Sequence, residues 1–191
     1  MKELSFITSN LHKVEEVRDA LKDLNLKVNH VKMQYTELQA DTIMKVVLAS
    51  ATDLATTIEG KFFIEDSGIS VDALSGFPGP YSSYVFRTIG WQGIIKLMEE
   101  VENRKAHFTS IFAFWDGWKL STFEGITEGT IAHQGRGDMG FGFDPIFIPI
   151  HKLNEDNLTY AQIPLVLKNQ VSHRGKSLSL LKQYLANSSI E

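Results

Sequence analysis

Two hydrophobic rhythms share this chain. Short runs such as "LSFIT" at 4–8, "KVNHVKM" at 27–33 and "KFFIED" at 61–66 concentrate β-branched and aromatic residues over strand lengths. Val14, Val17, Leu21 and Leu24 instead recur at the interval of a helix face, and Ser9 or Asn10 can cap a helix that the spacing carries to about residue 24. Ile43, Val46, Val47, Ser50 and Leu54 predict a second helix over about 41–58, and "WQGIIKLMEEV" predicts a third. "KFFIED" reads as a buried strand ending in two acids, with Ser67-Gly68 permitting a turn. "AHFTSIFAFWDGWKLSTFEG" predicts a hairpin around a two-residue Asp116-Gly117 turn, and "ITEGTIA" continues the strands. "HRGKSLSLLKQYLAN" predicts a closing amphipathic helix with Leu178, Leu181 and Leu185 inward.

The summed pattern is mixed α/β with at least one antiparallel portion, which departs from the regular alternation of a doubly wound nucleotide fold. Segments 66–86 and 133–145 are irregular but too apolar for disorder, and read as ordered functional loops. One of them, "GRGDMGFGFDP", holds a literal G-x-G-x-x-G at Gly135, Gly137 and Gly140. A dinucleotide site needs a helix after those glycines, and Pro145 and Pro149 point instead to a loop and a short strand. "GKS" at 175–177 ends like a P-loop, yet Gln170 occupies the position of its first glycine.

A length of 191 residues, 43% hydrophobic, predicts one domain spanning 1–191 with a single substantial core. The absence of cysteine removes disulfides, thiolate metal sites and a thiol nucleophile, and the apolar start is too short for a signal peptide, so a cytoplasmic protein is expected. No apolar run approaches the roughly 20 residues of a membrane span. A net charge of −4 argues against a nucleic-acid partner and leaves room for a small anionic ligand.

Five segments can carry chemistry. In "TSNLHK" a capping amide at Asn10 and the ammonium of Lys13 can converge beside free helix-start N–H groups, a seat for phosphate. Glu37, Glu65 and Asp66 supply carboxylates, and Mg²⁺ needs only one or two of them together with substrate phosphates and water. "DALSGFPGPYSSYVFR" reads as a rigid loop whose Tyr81, Tyr84 and Phe86 serve packing. Around 140, glycines allow close approach of a ligand, Phe141 and Phe143 offer stacking faces, and Asp144 before Pro145 is held extended. Lys168, His173 and Arg174 are donors suited to phosphate or base oxygens, and cations at a helix start call for a nearby anion.

Taken in order, "TSNLHKVEE", "ELQ", "EDSGISVDALSGFPGPYSS", "FEGITEGTI", "GFGFDPIFIP" and "SHRGKSL" resemble the inosine triphosphate pyrophosphatase family almost end to end. The resemblance implies an elongated mixed β-sheet flanked by helices, with two lobes around a central substrate cleft, and a homodimer. It implies Mg²⁺-dependent hydrolysis of ITP, dITP and XTP to monophosphate and pyrophosphate. By position, Thr8, Ser9, Asn10 and Lys13 would hold the triphosphate, Glu37 and Asp66 the metal, and Asp66 would activate water. Ser67 would contact substrate; Phe141, Gly142, Phe143 and Asp144 would meet the base, with Lys168, His173 and Arg174 completing the pocket. Ser9 stands where the family has glycine, Glu65 where many members have aspartate, and a lysine of some members has no counterpart near Leu48 and Ala49. The rival reading is a nucleotide sensor or RNA-interacting module without turnover. Intact Lys13, Glu37 and Asp66 speak against it, because a binder needs no water-activating carboxylate.

Overall fold

The computed structural model describes residues 2–36 and 38–187. Six strands form one mixed sheet: β1 (Lys2–Ile7), β2 (Leu26–Val31), β3 (Phe62–Val71), β4 (Lys105–Trp115), β5 (Leu120–Ile131) and β6 (Phe147–Pro149), in the order β2-β1-β3-β4-β5-β6. β1 pairs parallel with β2 and β3, and the β3–β4, β4–β5 and β5–β6 pairs are antiparallel.

Strand alternation assigns the two covers of the sheet. Phe63, Phe112 and Phe114 face one way and pack with Val14, Val17 and Leu21 of α1 (Leu11–Leu21) and Leu178, Leu181 and Leu185 of α6 (His173–Asn187). Their neighbours Phe62, Ile64, Ile111 and Ala113 face the other way, onto Ile43, Val47, Ala51 and Leu54 of α2 (Ile43–Thr57). A third apolar cluster gathers at the far end of β3 and β4, where Ile69, Val71 and Phe108 meet Val85 of α3 (Ser82–Thr88), Ile94 of α4 (Gly90–Leu97) and Val171 of α5 (Leu165–Val171). Between these clusters β3 carries Glu65, Asp66, Ser67 and Gly68, a polar stretch between the apolar Phe62–Ile64 and the buried Ile69 and Val71.

The closing helix and the short strand after Pro145 form as the spacing predicts, and α1 ends at Leu21, three residues early. Three expectations are corrected. β3 does not stop at its acids: the ladder with β4 continues from Asp66↔Ile111 to Val71↔Ala106, so paired backbone overrides the turn propensity of Ser67-Gly68. The hairpin turn centres on Gly117-Trp118, because the Asp116 N–H donates to the Lys119 carbonyl while Asp116 Oδ1 accepts from the N–H groups of Trp118 and Lys119. Asp144 opens a 3₁₀ turn, Asp144–Ile146, rather than staying extended before Pro145.

Candidate active site

A cleft of about 660 Å³ opens over the polar stretch of β3. Thr8, Ser9, Asn10 and Lys13 line it from the β1–α1 junction, Asp66 and Ser67 from β3, Phe141, Gly142, Phe143 and Asp144 from the glycine-rich loop, and His173 and Arg174 from the start of α6. These residues are remote in sequence and converge because the carboxyl end of β1, the middle of β3 and the N-terminus of α6 meet at one edge of the core. Lys168 lies behind this wall rather than on it. Glu37, expected as a metal ligand, lies outside the described residues.

At the phosphate-seat end, Asn10 caps α1 by accepting from the N–H groups of His12 and Lys13, and its own N–H donates to Thr8 Oγ1. That cap orients the first turn, from which Lys13 reaches β3 and donates to the Glu65 carbonyl at 3.3 Å.

The deeper wall is an alternating chain of charges. Lys13 Nζ meets Glu65 Oε2 at 2.6 Å; Arg174 Nε donates to Glu65 Oε1 at 3.1 Å and Nη1 to Glu16 Oε2 at 2.7 Å. Lys168 Nζ lies 3.5 Å from Glu16 Oε1 and donates to Asp144 Oδ2 at 2.7 Å. Three cations thus alternate with three carboxylates from the phosphate seat to the glycine-rich loop. Ser110 donates to Glu65 Oε1 and Arg174 Nη2 donates to Ser67 Oγ, whereas Glu65 Oε2 has the Lys13 ammonium beside it as an ion pair but no hydrogen bond among the described residues.

Burial works against the charge of Glu65, but Arg174 and Lys13 outweigh it and hold the carboxyl well below the usual carboxylate range. Burial likewise opposes the charge of Glu16, and Arg174 and Lys168 prevail to keep it low. At Asp144 the balance reverses: burial raises its pKa despite Lys168 and the Phe141 N–H, which donates to it at 2.8 Å. Burial, aided by the charge of Arg174, keeps His173 neutral by pushing its pKa far down. His173 stacks on Phe108 at 4.4 Å, and its Nδ1 is buried without a hydrogen-bond partner among the described residues.

Two glycines make this packing possible. A Cβ on Gly140, which has φ +77°, would strike Asp144 Oδ2, so the loop glycine clears space for the Asp144–Lys168 pair. A Cβ on Gly125 would strike the backbone of His173 and Ser177, so the bare glycine lets the first turn of α6 sit directly on β5.

The sequence marks Glu65 only as a candidate carboxylate and Glu16 only as the end of the "TSNLHKVEE" motif, and it gives Ser110 and Arg87 no role. Glu16 was legible in principle, since it lies one helical turn after Lys13 and beside the buried Val17. The anion called for by a cationic α6 start is this pair of protein carboxylates, Glu16 and Glu65. Phe86 reaches the cleft and packs edge-on against Phe143 at 5.5 Å, so it does more than brace its own loop. The ring of Phe141 stacks with His12 at 5.4 Å and lies beneath the charges of Lys168 and Arg174.

Among the described residues, no three His, Cys, Asp or Glu side chains gather into a metal cage, and no helix is long and apolar enough to cross a membrane. A magnesium ion would need only one or two carboxylates together with water and substrate oxygens, and the Asp66 carboxylate on the cleft wall would suit it.

The chain is 48% identical over 182 residues to a dITP/XTP pyrophosphatase of Thermococcus kodakarensis, covering 95% of this chain and 96% of that protein. It is 43% identical over 180 residues to one from Pyrococcus horikoshii, covering 94% and 95%. Its fold superposes on a HAM1 protein from Coxiella burnetii with TM-score 0.83 at 26% identity, covering 98% of this chain and 100% of that one, and on the Staphylococcus aureus Ham1 protein with TM-score 0.82 at 25% identity, covering 97% and 98%. The family model matches residues 4–184, and the chain belongs to the Ham1 family.

Proposed function

We propose that this protein hydrolyses deaminated purine nucleoside triphosphates, dITP, ITP and XTP, to the monophosphate and pyrophosphate. The observation that carries the reading is the meeting, in one cleft, of a capped helix start with Lys13, the Asp66 carboxylate and a base-sized wall of Phe141, Phe143 and His173, in a chain nearly half identical to a dITP/XTP pyrophosphatase.

In this reading the first turn of α1 and Lys13 hold the triphosphate, the ammonium being oriented by Glu65. Asp66, with Glu37 as the family resemblance implies, would hold Mg²⁺, whose chemistry there would be to offset phosphate charge. Asp66 accepts the proton of the attacking water, and its place in the β3–β4 ladder opposite Ile111 holds that carboxylate on the cleft wall. The Phe141–Asp144 segment receives the purine, with Lys168 fixing Asp144 from behind rather than touching substrate. Donors at His173 and Arg174 suit a 6-oxo group and leave a 6-amino group facing donors, which disfavours adenine. The protein acts on the free cytoplasmic nucleotide pool as a homodimer.

The test is a kcat/KM comparison with Mg²⁺ over dITP, ITP, XTP, dATP, ATP and GTP. Preference of at least about 100-fold for the first three over ATP is expected, since a lost or mismatched buried hydrogen bond discriminates strongly. Equal use of ATP would refute the base reading.

A further inference from the structure

We propose that Arg87 grips the phosphate chain of the bound nucleotide, supplying the uncompensated positive charge that the rest of the cleft lacks. The inference rests on reading the cleft as a triphosphate site.

Lys13 and Arg174, which line the cleft, and Lys168 behind it are each held by carboxylates, and the chain Lys13–Glu65–Arg174–Glu16–Lys168–Asp144 sums to zero. A triphosphate brings about four negative charges, more than one divalent cation can offset. Arg87 lines the same cleft from α3 and is exposed. Its one described hydrogen bond runs from Nε to the Ser83 carbonyl at 3.4 Å within its own helix, and it has no acidic partner among the described residues.

The helix beneath it is anchored. Val85 is buried in the third apolar cluster, the Ser82 hydroxyl donates to the Gly79 carbonyl and accepts the Ile69 N–H, and Phe86 packs against Phe143. Arg87 therefore projects from a fixed platform, with the Nη fork available to oxygen pairs. A planar guanidinium matches phosphate oxygens two at a time, whereas a neutral purine offers it only single acceptors.

Two inhibitors of ITP hydrolysis separate the ends of the substrate: inorganic tripolyphosphate carries the charge and inosine carries the base. Arg87→Ala is expected to raise KM for ITP and Ki for tripolyphosphate by roughly 10-fold each, with kcat within about twofold and Ki for inosine unchanged. Arg87→Lys is expected to recover part of the loss. An unchanged tripolyphosphate Ki overturns the assignment, and so does an equal loss for inosine, which would signal a displaced helix. Calorimetry of tripolyphosphate binding gives the same comparison without turnover. Wild-type protein that binds tripolyphosphate but leaves ITP intact would therefore refute the proposed function alone, while equal tripolyphosphate affinity of wild type and Arg87→Ala would refute Arg87.

Discussion

Glu16 of α1 and Arg174 of α6, 158 positions apart in the chain, share a buried ion pair of 2.7 Å that locks the two helices together beneath the cleft. Arg174 is thereby held between two carboxylates, and Glu16 between two cations. Removing one member of such a set leaves a buried charge uncompensated, which costs far more than the pair contributes over an apolar substitute.

Glu16→Gln is accordingly expected to lower unfolding free energy by about 3 kcal/mol, read from the urea midpoint. The change preserves shape, so a loss well under about 1 kcal/mol would show that the charge of Glu16 is not what Arg174 and Lys168 require.

Stability should also fall as pH drops from about 7 towards 5. His173 has its folded pKa depressed by burial, so below the ordinary histidine value near 6.5 the unfolded chain takes up a proton that the folded chain refuses. The slope contributed approaches about 1.4 kcal/mol per pH unit. Glu16 and Glu65, with depressed folded pKa values, contribute stability that is present above about pH 4.5 and is lost as pH falls further. Asp144 has the opposite sign, since its raised pKa makes the folded state hold its proton longer. Urea midpoints at pH 7.5, 6.5 and 5.5 for wild type and His173→Phe check the first window. The variant should lose the His173 share of the slope, and identical slopes would contradict a neutral buried imidazole.

Gly125→Ala should destabilise by about 2–3 kcal/mol, because the new methyl meets backbone of α6 rather than a side chain that can swing away. Since that backbone carries His173 and Arg174, KM for ITP should rise as well. Thermal melting with a parallel activity assay would test both, and a variant normal in each would show that α6 has slack over β5.

Asp66→Asn should reduce turnover by about 10²–10⁴-fold while leaving the melting temperature near that of wild type. The carboxylate sits on the cleft wall and not in the apolar clusters. Near-normal rates in a folded variant would remove Asp66 from the role of base.

Most elements were legible from periodicity because helices α1, α2 and α6 bury one stripe against a sheet, which writes the spacing into the chain. What periodicity missed was decided by partners. Ser67-Gly68 reads locally as a turn, and only pairing with Thr109 and Ser110 of β4 makes it strand. Glu65 reads as one of two acids ending a buried strand, and only Lys13, Ser110 and Arg174, each from a different element, make it the hub of a buried network. Arg87 left no local signal, since an arginine on a short helix is ordinary until the cleft beside it is seen. The glycines of "GRGDMGFGFDP" matched a dinucleotide spacing by accident; Gly140 serves the seating of Asp144 against Lys168.

The most direct test of the central claim is phosphorus NMR of XTP and ITP incubated with the wild-type protein and Mg²⁺. The account predicts pyrophosphate and the nucleoside monophosphate as the first products, with no diphosphate intermediate. Appearance of nucleoside diphosphate and inorganic phosphate, or intact triphosphate after prolonged incubation, would contradict it.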